Sequence, residues 1–244
     1  MGDSTMAGIR WYLNSQHALN GSNFVIDTES CRRLVGSSCR GRGGRTPPNA
    51  VNAINAHTET FDVVVVMTGY NDWWANFSGA FDQVVQAARQ KGAKQILWLT
   101  YREGTSYANP TGGTMQDQGF RNQNVILREK IASGAFNDVR LLDYNTYTAT
   151  TTGWFTSDGV HFTLAGAYGT ADYIARQIAF SHGEPCPAPV TPGGPIEVPC
   201  SNPDVAAPIA DPVGLYAGNP NEVHCYEVGS DRHMECRVDP KLSH

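Results

Sequence analysis

The sequence contains no run of about 18 apolar residues, which is the length that a membrane-spanning helix requires. It also lacks an excess of basic residues, since 18 Lys and Arg stand against 23 Asp and Glu, for a net charge of −5. An acidic chain is a poor partner for nucleic acid phosphates. Hydrophobic residues make up 41% of the chain, which is typical of folded proteins. The composition therefore predicts neither a membrane span nor a nucleic-acid partner.

One stretch departs from the acidic average, because five arginines and no acid fall within fourteen residues. They are Arg32, Arg33, Arg40, Arg42 and Arg45. Two interpretations stay open: a solvated face of a loop, or a docking surface for an anionic polymer.

The six cysteines fall into three pairs that are local in the sequence. These are Cys31–Cys39, Cys186–Cys200 and Cys225–Cys236. An even set of this kind predicts disulfides and an oxidising, extracytoplasmic compartment. For the last pair, residues 223–228 and 232–238 look like two strands of a hairpin, which sets Cys225 roughly opposite Cys236.

A metal site is the alternative for the last pair. His224, Cys225, His233 and Cys236 are residues that hold zinc in other proteins. We favour the disulfide, because the other four cysteines already indicate oxidation, and the sequence then predicts no metal centre.

Helical and strand patterns alternate between residue 1 and about residue 182. Apolar runs at 61–69 and 96–100 are typical of parallel strands that are covered on both faces. Helices are predicted at about 4–19 and, with Ser78 as cap, at about 78–91. This alternation predicts an α/β fold, a three-layer α/β/α sandwich around a parallel sheet.

The character of the chain changes near residue 183. Eleven of the fourteen prolines and four of the six cysteines lie beyond that point. We therefore expect a catalytic domain at 1–182 and a disulfide-pinned tail or small appendage at 183–244.

Two separated motifs carry the parts of a serine nucleophile system. Ser4 follows Gly-Asp and precedes a helical pattern, so it either caps that helix or serves as a nucleophile near its positive end. His161 is the expected general base, and Asp158, three residues earlier, would orient its imidazole. The combination favours acyl transfer through a serine ester.

A third motif, Gly-Tyr-Asn-Asp at 69–72, supplies an amide donor. Asn71 would donate its side-chain amide to a tetrahedral oxyanion, together with the backbone N–H of Ser4. We expect Asp72 to hold the loop.

On these residues the chain resembles the SGNH (GDSL) hydrolase family over about residues 1–182. Ser4, Asn71, Asp158 and His161 match the family blocks residue by residue. The resemblance implies a flavodoxin-like α/β/α fold, no metal or organic cofactor, and ester or acyl-transfer chemistry. It is nearest to secreted bacterial esterases and to the extracytoplasmic domains of cell-wall O-acetyltransferases.

The chain departs from the family pattern at two places. The second-block glycine, which supplies an oxyanion N–H, has no clear counterpart, and Cys31 is the substitute that we assign. Family members also have a strand before Gly-Asp-Ser, and here the first strand is missing. We therefore expect a truncated or mis-started chain in which two neighbouring strands lack their shared partner.

Substrate clues come from aromatic residues and one polar loop. Tyr70, Trp73 and Trp74 flank Asn71 and are candidate substrate contacts, and Trp154 is expected to line the same opening. The loop at 102–119 lacks the apolar surface that a long acyl chain needs, which favours short acyl groups such as acetyl.

The sequence thus predicts a secreted or cell-envelope serine esterase acting on short-chain, acetyl esters of a small molecule or polysaccharide. An O-acetyltransferase would use the same residues with a sugar hydroxyl in place of water. A non-catalytic protein that binds an anionic cell-envelope polymer through the arginines is the third hypothesis.

Overall fold

The computed structural model describes residues 1–12, 14–19, 23–106, 116–191, 193–217, 223–228 and 233–238. The helices are α1 (Ala7–Trp11), α2 (Ala50–Ala56), α3 (Phe77–Gln90), α4 (Gln116–Ala132), α5 (Tyr144–Tyr147), α6 (Leu164–His182) and α7 (Pro212–Ala217). The strands are β1 (Phe24–Ile26), β2 (Val63–Val66), β3 (Gln95–Leu99), β4 (Val139–Leu142), β5 (Val223–Val228) and β6 (His233–Val238).

The chain forms two compact units. Unit 1 consists of Met1–Ala7, Asp27–Thr146 and Ser157–His161, and unit 2 consists of Gly8–Ile26, Tyr147–Thr156 and Phe162–His244. Both units contain several separate segments of the chain, and the expected catalytic domain at 1–182 with an appendage at 183–244 stays a prediction.

Unit 1 contains a parallel sheet in the order β2-β3-β4, flanked by helices, which confirms the predicted α/β fold. Val66 lies opposite Trp98, and Leu99 lies opposite Leu142. These four side chains are buried, as expected for apolar strands that are covered on both faces. The carboxyl ends of the strands provide the edge at which sites form in such sheets.

The first residues of the chain correct the expectation of a missing strand partner. Gly2 forms parallel bridges to both Thr28 and Met67. Its N–H donates to the carbonyl of Asp27 over 3.0 Å, and the N–H of Met67 donates to the carbonyl of Met1 over 3.0 Å. Residues 1–3 thus supply the backbone partner that both neighbours need, directly before Ser4.

Several predicted helix bounds were wrong. The segment at 4–19 is a short α1 followed by a 3₁₀ helix at Ser15–Leu19, because Asn14 takes a left-handed conformation with φ of 67°. Ser78 lies inside α3, which begins one residue earlier. Helix α4 begins at Gln116, so the predicted loop at 102–119 ends earlier.

Unit 2 contains an antiparallel sheet in the order β1-β6-β5. Strand β1 therefore pairs antiparallel with the tail, whereas Thr28, two residues after it, bridges Gly2 in parallel. In the register of the other pair, Cys225 lies directly opposite Cys236, as predicted. The side chains of Cys225, His224 and His233 lie outside the described residues, and so does the zinc alternative.

Helix α6 is capped at both ends, and part of the tail packs on it in unit 2. Thr163 caps it by accepting a hydrogen bond from the N–H of Gly166, and Gly183 ends it in a left-handed conformation. Cys186 and Cys200 form a disulfide with a Cα–Cα distance of 4.7 Å, and both pack on Ala179 of the helix. The tail is therefore packed on α6 there. No helix in the described ranges is long and apolar enough to cross a membrane.

Candidate active site

Three predicted residues meet in unit 1 as a hydrogen-bonded chain. His161 Nε2 lies 2.8 Å from Ser4 Oγ, and His161 Nδ1 lies 2.6 Å from Asp158 Oδ2. The side chains of His161 and Asp158 are each 30% exposed, so a solvent molecule or a substrate reaches them. This order, hydroxyl to imidazole to carboxylate, is the arrangement in which a histidine withdraws a serine proton.

Asp158 and His161 are oriented by their own short loop. Asp158 Oδ1 accepts hydrogen bonds from the N–H groups of Val160 at 2.8 Å and His161 at 3.0 Å. Its other oxygen stays available for the imidazole. Gly159 has φ of 78°, a left-handed conformation that permits this tight turn.

The turn that carries Ser4 is held by Asp3, a residue that the sequence analysis left without a role. Its buried carboxylate accepts hydrogen bonds of 3.0 Å from the N–H groups of Thr5, Gly69 and Tyr70. Burial raises the pKa of Asp3, and the three N–H donors act in the opposite direction. One side chain thus joins the nucleophile turn to the turn that leads into Asn71, a contact that no local pattern predicts.

Gly69 is required at the second turn for steric reasons. Its φ is 137°, and a Cβ atom there would lie 2.1 Å from the hydroxyl oxygen of Tyr101. That hydroxyl donates a 2.7 Å hydrogen bond to the carbonyl of Thr68. The close approach fixes where the backbone turns before Asn71.

A hydrogen bond joins Asn71 to Arg32, the residue that follows Cys31, the second predicted oxyanion donor. The buried amide of Asn71 donates to the carbonyl of Arg32 over 3.2 Å. Cys31 has φ of 69° and is bridged to Cys39, with a Cα–Cα distance of 5.2 Å. Among the described residues, the backbone N–H groups of Ser4 and Cys31 donate no hydrogen bond, so both are available to an oxyanion.

Arg32 does not belong to a surface cluster, which corrects the five-arginine interpretation. Its guanidinium is buried and lies 2.7 Å from Asp27 Oδ1. Burial alone would raise the pKa of Asp27, but a hydrogen bond with His57 and the charge of Arg32 together lower it. Arg40, Arg42 and Arg45 are exposed, and Arg45 pairs with Glu29.

Asp72 holds its loop, as predicted. Both carboxylate oxygens accept from the N–H of Leu34, at 3.2 and 3.0 Å. Burial raises the pKa of Asp72 to about 8.

The predicted aromatic substrate contacts separate into two groups. Tyr70 is only 1% exposed and packs edge-on against Tyr101 and Phe120, so it is a core residue and not a substrate contact. Trp154 is buried in unit 2, which overturns its place at an opening. Trp73 and Trp74 are 60% and 39% exposed, and their contact with substrate stays a prediction.

No protein-family model matches the chain, and no curated protein matches it. Among solved structures, it is similar to an aryl esterase of M. smegmatis in inhibitor-bound and native forms. Both are 18% identical, with TM-scores of 0.47 and 0.46, covering 72% of this chain and 84% of theirs. A protein of Agrobacterium tumefaciens str. C58 has a TM-score of 0.43 and 16% identity, covering 73% of this chain and 95% of its own. The functional assignment rests on the geometry of the site.

Proposed function

We propose that the protein is a serine-dependent ester hydrolase. The observation that carries the proposal is the hydrogen-bonded chain from Ser4 through His161 to Asp158, with distances of 2.8 and 2.6 Å. A serine hydroxyl is a weak nucleophile at neutral pH until a base takes its proton, and His161 is within reach to do so. The resemblance to SGNH hydrolases at these same residues supports the assignment.

In the first half of the reaction, Ser4 Oγ attacks the ester carbonyl and its proton moves to His161 Nε2. Asp158 stabilises the imidazolium that forms and keeps Nε2 directed at Ser4. The tetrahedral oxyanion is held by the backbone N–H groups of Ser4 and Cys31 and by the amide of Asn71. One such donor contributes about 3–4 kcal/mol of transition-state stabilisation.

His161 then returns the proton to the leaving alcohol oxygen as the alkoxide departs, which leaves an acyl-serine ester. Water attacks this ester, again with His161 as the base, and the carboxylic acid is released with Ser4 restored. In an O-acetyltransferase a sugar hydroxyl replaces that water, with the same residues in the same roles.

The substrate that we propose is a short-chain ester, an acetyl ester of a carbohydrate. Two exposed indoles, Trp73 and Trp74, follow Asn71 closely in sequence, and such faces suit sugar rings. The disulfides Cys31–Cys39 and Cys186–Cys200 support an extracytoplasmic location for the reaction.

The test is covalent labelling by a fluorophosphonate, with hydrolysis of an acetyl ester measured in parallel. We expect the native protein to be labelled and Ser4→Ala to lose both labelling and hydrolysis. Ser133→Ala is the matched control, because the hydroxyl of Ser133 lies in an exposed turn and bonds only neighbouring backbone groups, the carbonyl of Lys130 and the N–H of Ala135. Absence of labelling in the native protein would favour the non-catalytic binding hypothesis.

A second arm separates hydrolase from transferase. The acetyl ester is supplied with and without a sugar acceptor, and acetate and acetylated sugar are both measured. Acetylated sugar that forms at the expense of acetate, and only when Ser4 is intact, identifies a transferase.

A further inference from the structure

The loop Ser157–His161 is attached to the segment 102–106, which we call the strap. Arg102 Nη1 donates to the carbonyl of Gly159 over 2.7 Å. Ser106 contributes two more bonds, from its N–H to the carbonyl of Asp158 at 3.1 Å and from its Oγ to the carbonyl of Ser157 at 2.8 Å. Three consecutive carbonyls of the loop are therefore held by only two residues.

These contacts bear on the distance between His161 and Ser4, which the loop does not fix by its own bonds. Asp158 fixes the imidazole of His161 relative to the loop, because it bonds both the ring and the loop backbone. Nothing in that arrangement determines how far the ring lies from Ser4. Bonds from outside the loop to its carbonyls set that distance.

The strap is itself held through the backbone N–H groups of its first four residues. The N–H of Arg102 donates to the hydroxyl of Tyr70 over 3.0 Å, and the N–H of Glu103 donates to Asn145 Oδ1 over 2.9 Å. The N–H groups of Gly104 and Thr105 both donate to the carboxylate of Asp117. The strap is thus a fixed support.

The anchor at Tyr70 links the strap to the oxyanion donor. Tyr70 is adjacent in sequence to Asn71, and its own N–H is bound by Asp3 next to Ser4. The buried hydroxyl that receives the N–H of Arg102 therefore belongs to the turn that carries Asn71. One continuous set of bonds runs from the nucleophile turn through Tyr70 and Arg102 to Gly159.

We propose that Arg102 and Ser106 are positioning residues that hold the loop Ser157–His161 at the correct distance from Ser4. The proposal rests on the proposed function for its kinetic consequence. A displacement of the base by about 1 Å is enough to lower the rate about 100-fold, and binding of substrate need not change.

The kinetic test compares Arg102→Ala and Ser106→Ala with matched controls. Arg128→Ala removes an exposed arginine whose guanidinium lies 3.8 Å from Asp143, and Ser133→Ala removes an exposed hydroxyl. We expect kcat for the acetyl ester to fall about 10- to 100-fold in the two strap variants, with KM nearly unchanged and the controls at the native value. Added guanidinium at millimolar concentration should restore part of the rate of Arg102→Ala and have no effect on Ser106→Ala.

A second readout does not depend on activity. The imidazole signals of His161 are followed by NMR and assigned by comparison with His161→Gln. We expect these signals to shift and broaden in both strap variants and to stay at their native positions in both controls. Native His161 signals in the strap variants would overturn the proposal.

The two measurements separate the two proposals. If the native protein is not labelled by the fluorophosphonate, the esterase proposal fails, whereas the His161 signals still decide the role of the strap. If Arg102→Ala does not fold, as judged by circular dichroism, Ser106→Ala carries the test, because it removes one hydroxyl and leaves the backbone bond to Asp158 intact.

Discussion

At the scale of single residues, Asp3 and Asp72 show how buried carboxylates build this site without taking part in the chemistry. Each accepts hydrogen bonds from backbone N–H groups that lie more than 35 residues away, at Gly69 and Tyr70 for Asp3 and at Leu34 for Asp72. Backbone groups bound in this way are fixed in position, which keeps the turns on either side of Asn71 in place.

The pKa of Asp72, which is raised to about 8, implies that the stability of the fold depends on pH. The folded protein retains a proton that the unfolded chain releases above about pH 4. The contribution of Asp72 to stability is therefore fully present below pH 4 and is lost as the pH rises through about 8. Asp72→Asn keeps an oxygen acceptor for the N–H of Leu34 and removes this ionisation.

We expect the melting temperature of Asp72→Asn, relative to the native protein, to increase steadily between pH 4 and pH 8 and then to level off. Thermal unfolding followed by circular dichroism measures it. Asp62→Asn is the control, because the side chain of Asp62 is 75% exposed. A difference that is the same at every pH would contradict the assignment.

How far the site is predictable from sequence also depends on individual residues. The meeting of Ser4, Asp158 and His161 is predictable because their proposed roles follow from residue type and from motifs only a few residues long. Tyr70 and Arg32 were assigned wrongly, since the burial of Tyr70 depends on the distant Phe120, and that of Arg32 on an ion pair with Asp27 that no motif signals. The strap has no sequence motif, because it binds backbone carbonyl groups, and every residue type has one.

At the scale of elements, Gly79 of α3 and Gly169 of α6 have opposite effects on the stability of the fold. Gly169 of α6 faces Trp154, and a Cβ there would lie 2.2 Å from the indole. Gly79 of α3 has no atom within 4 Å of the corresponding position. The first glycine therefore permits a close contact, whereas the second only weakens its helix.

We expect Gly169→Ala to lower the free energy of unfolding by about 1–3 kcal/mol, because the buried indole of Trp154 must move. Gly79→Ala should raise it by about 0.5–1 kcal/mol through improved helix propensity. Urea denaturation of the two variants measures both values. Equal effects of the same sign would show that Trp154 does not pack as described.

Strands were predictable from their apolar runs, but not all of their partners were. The pattern at β2 and β3 correctly predicted neighbouring parallel strands. The short run at β1 looks similar in sequence, yet it pairs antiparallel with β6, which follows about 200 residues later. Edge pairing of a three-residue strand is decided by whichever segment the fold brings beside it, and periodicity holds no information about that.

At the scale of the whole molecule, the two disulfides with described side chains belong to different units. Cys31 supplies a proposed oxyanion N–H, whereas Cys186 and Cys200 pack on α6 in the other unit. Loss of each bridge should therefore be detected by a different measurement.

We expect the double substitution Cys31→Ser with Cys39→Ser to lower kcat for the acetyl ester, because the left-handed backbone at Cys31 loses its constraint. The double substitution Cys186→Ser with Cys200→Ser should lower the free energy of unfolding by about 3 kcal/mol and leave kcat at its native value. Kinetics and denaturation of both variants provide the check. A large kcat effect of the second pair would contradict this separation.

The loop around Asp158 has a consequence for protein engineering. Asp158 and His161 are separated by only two residues, and one carboxylate bonds both the local backbone and the imidazole. The five residues Ser157–His161 therefore carry within one loop the bonds that orient the imidazole. A designer who moves this loop to a new scaffold has to reproduce the outside hydrogen bonds to its carbonyls as well as its separation from a serine.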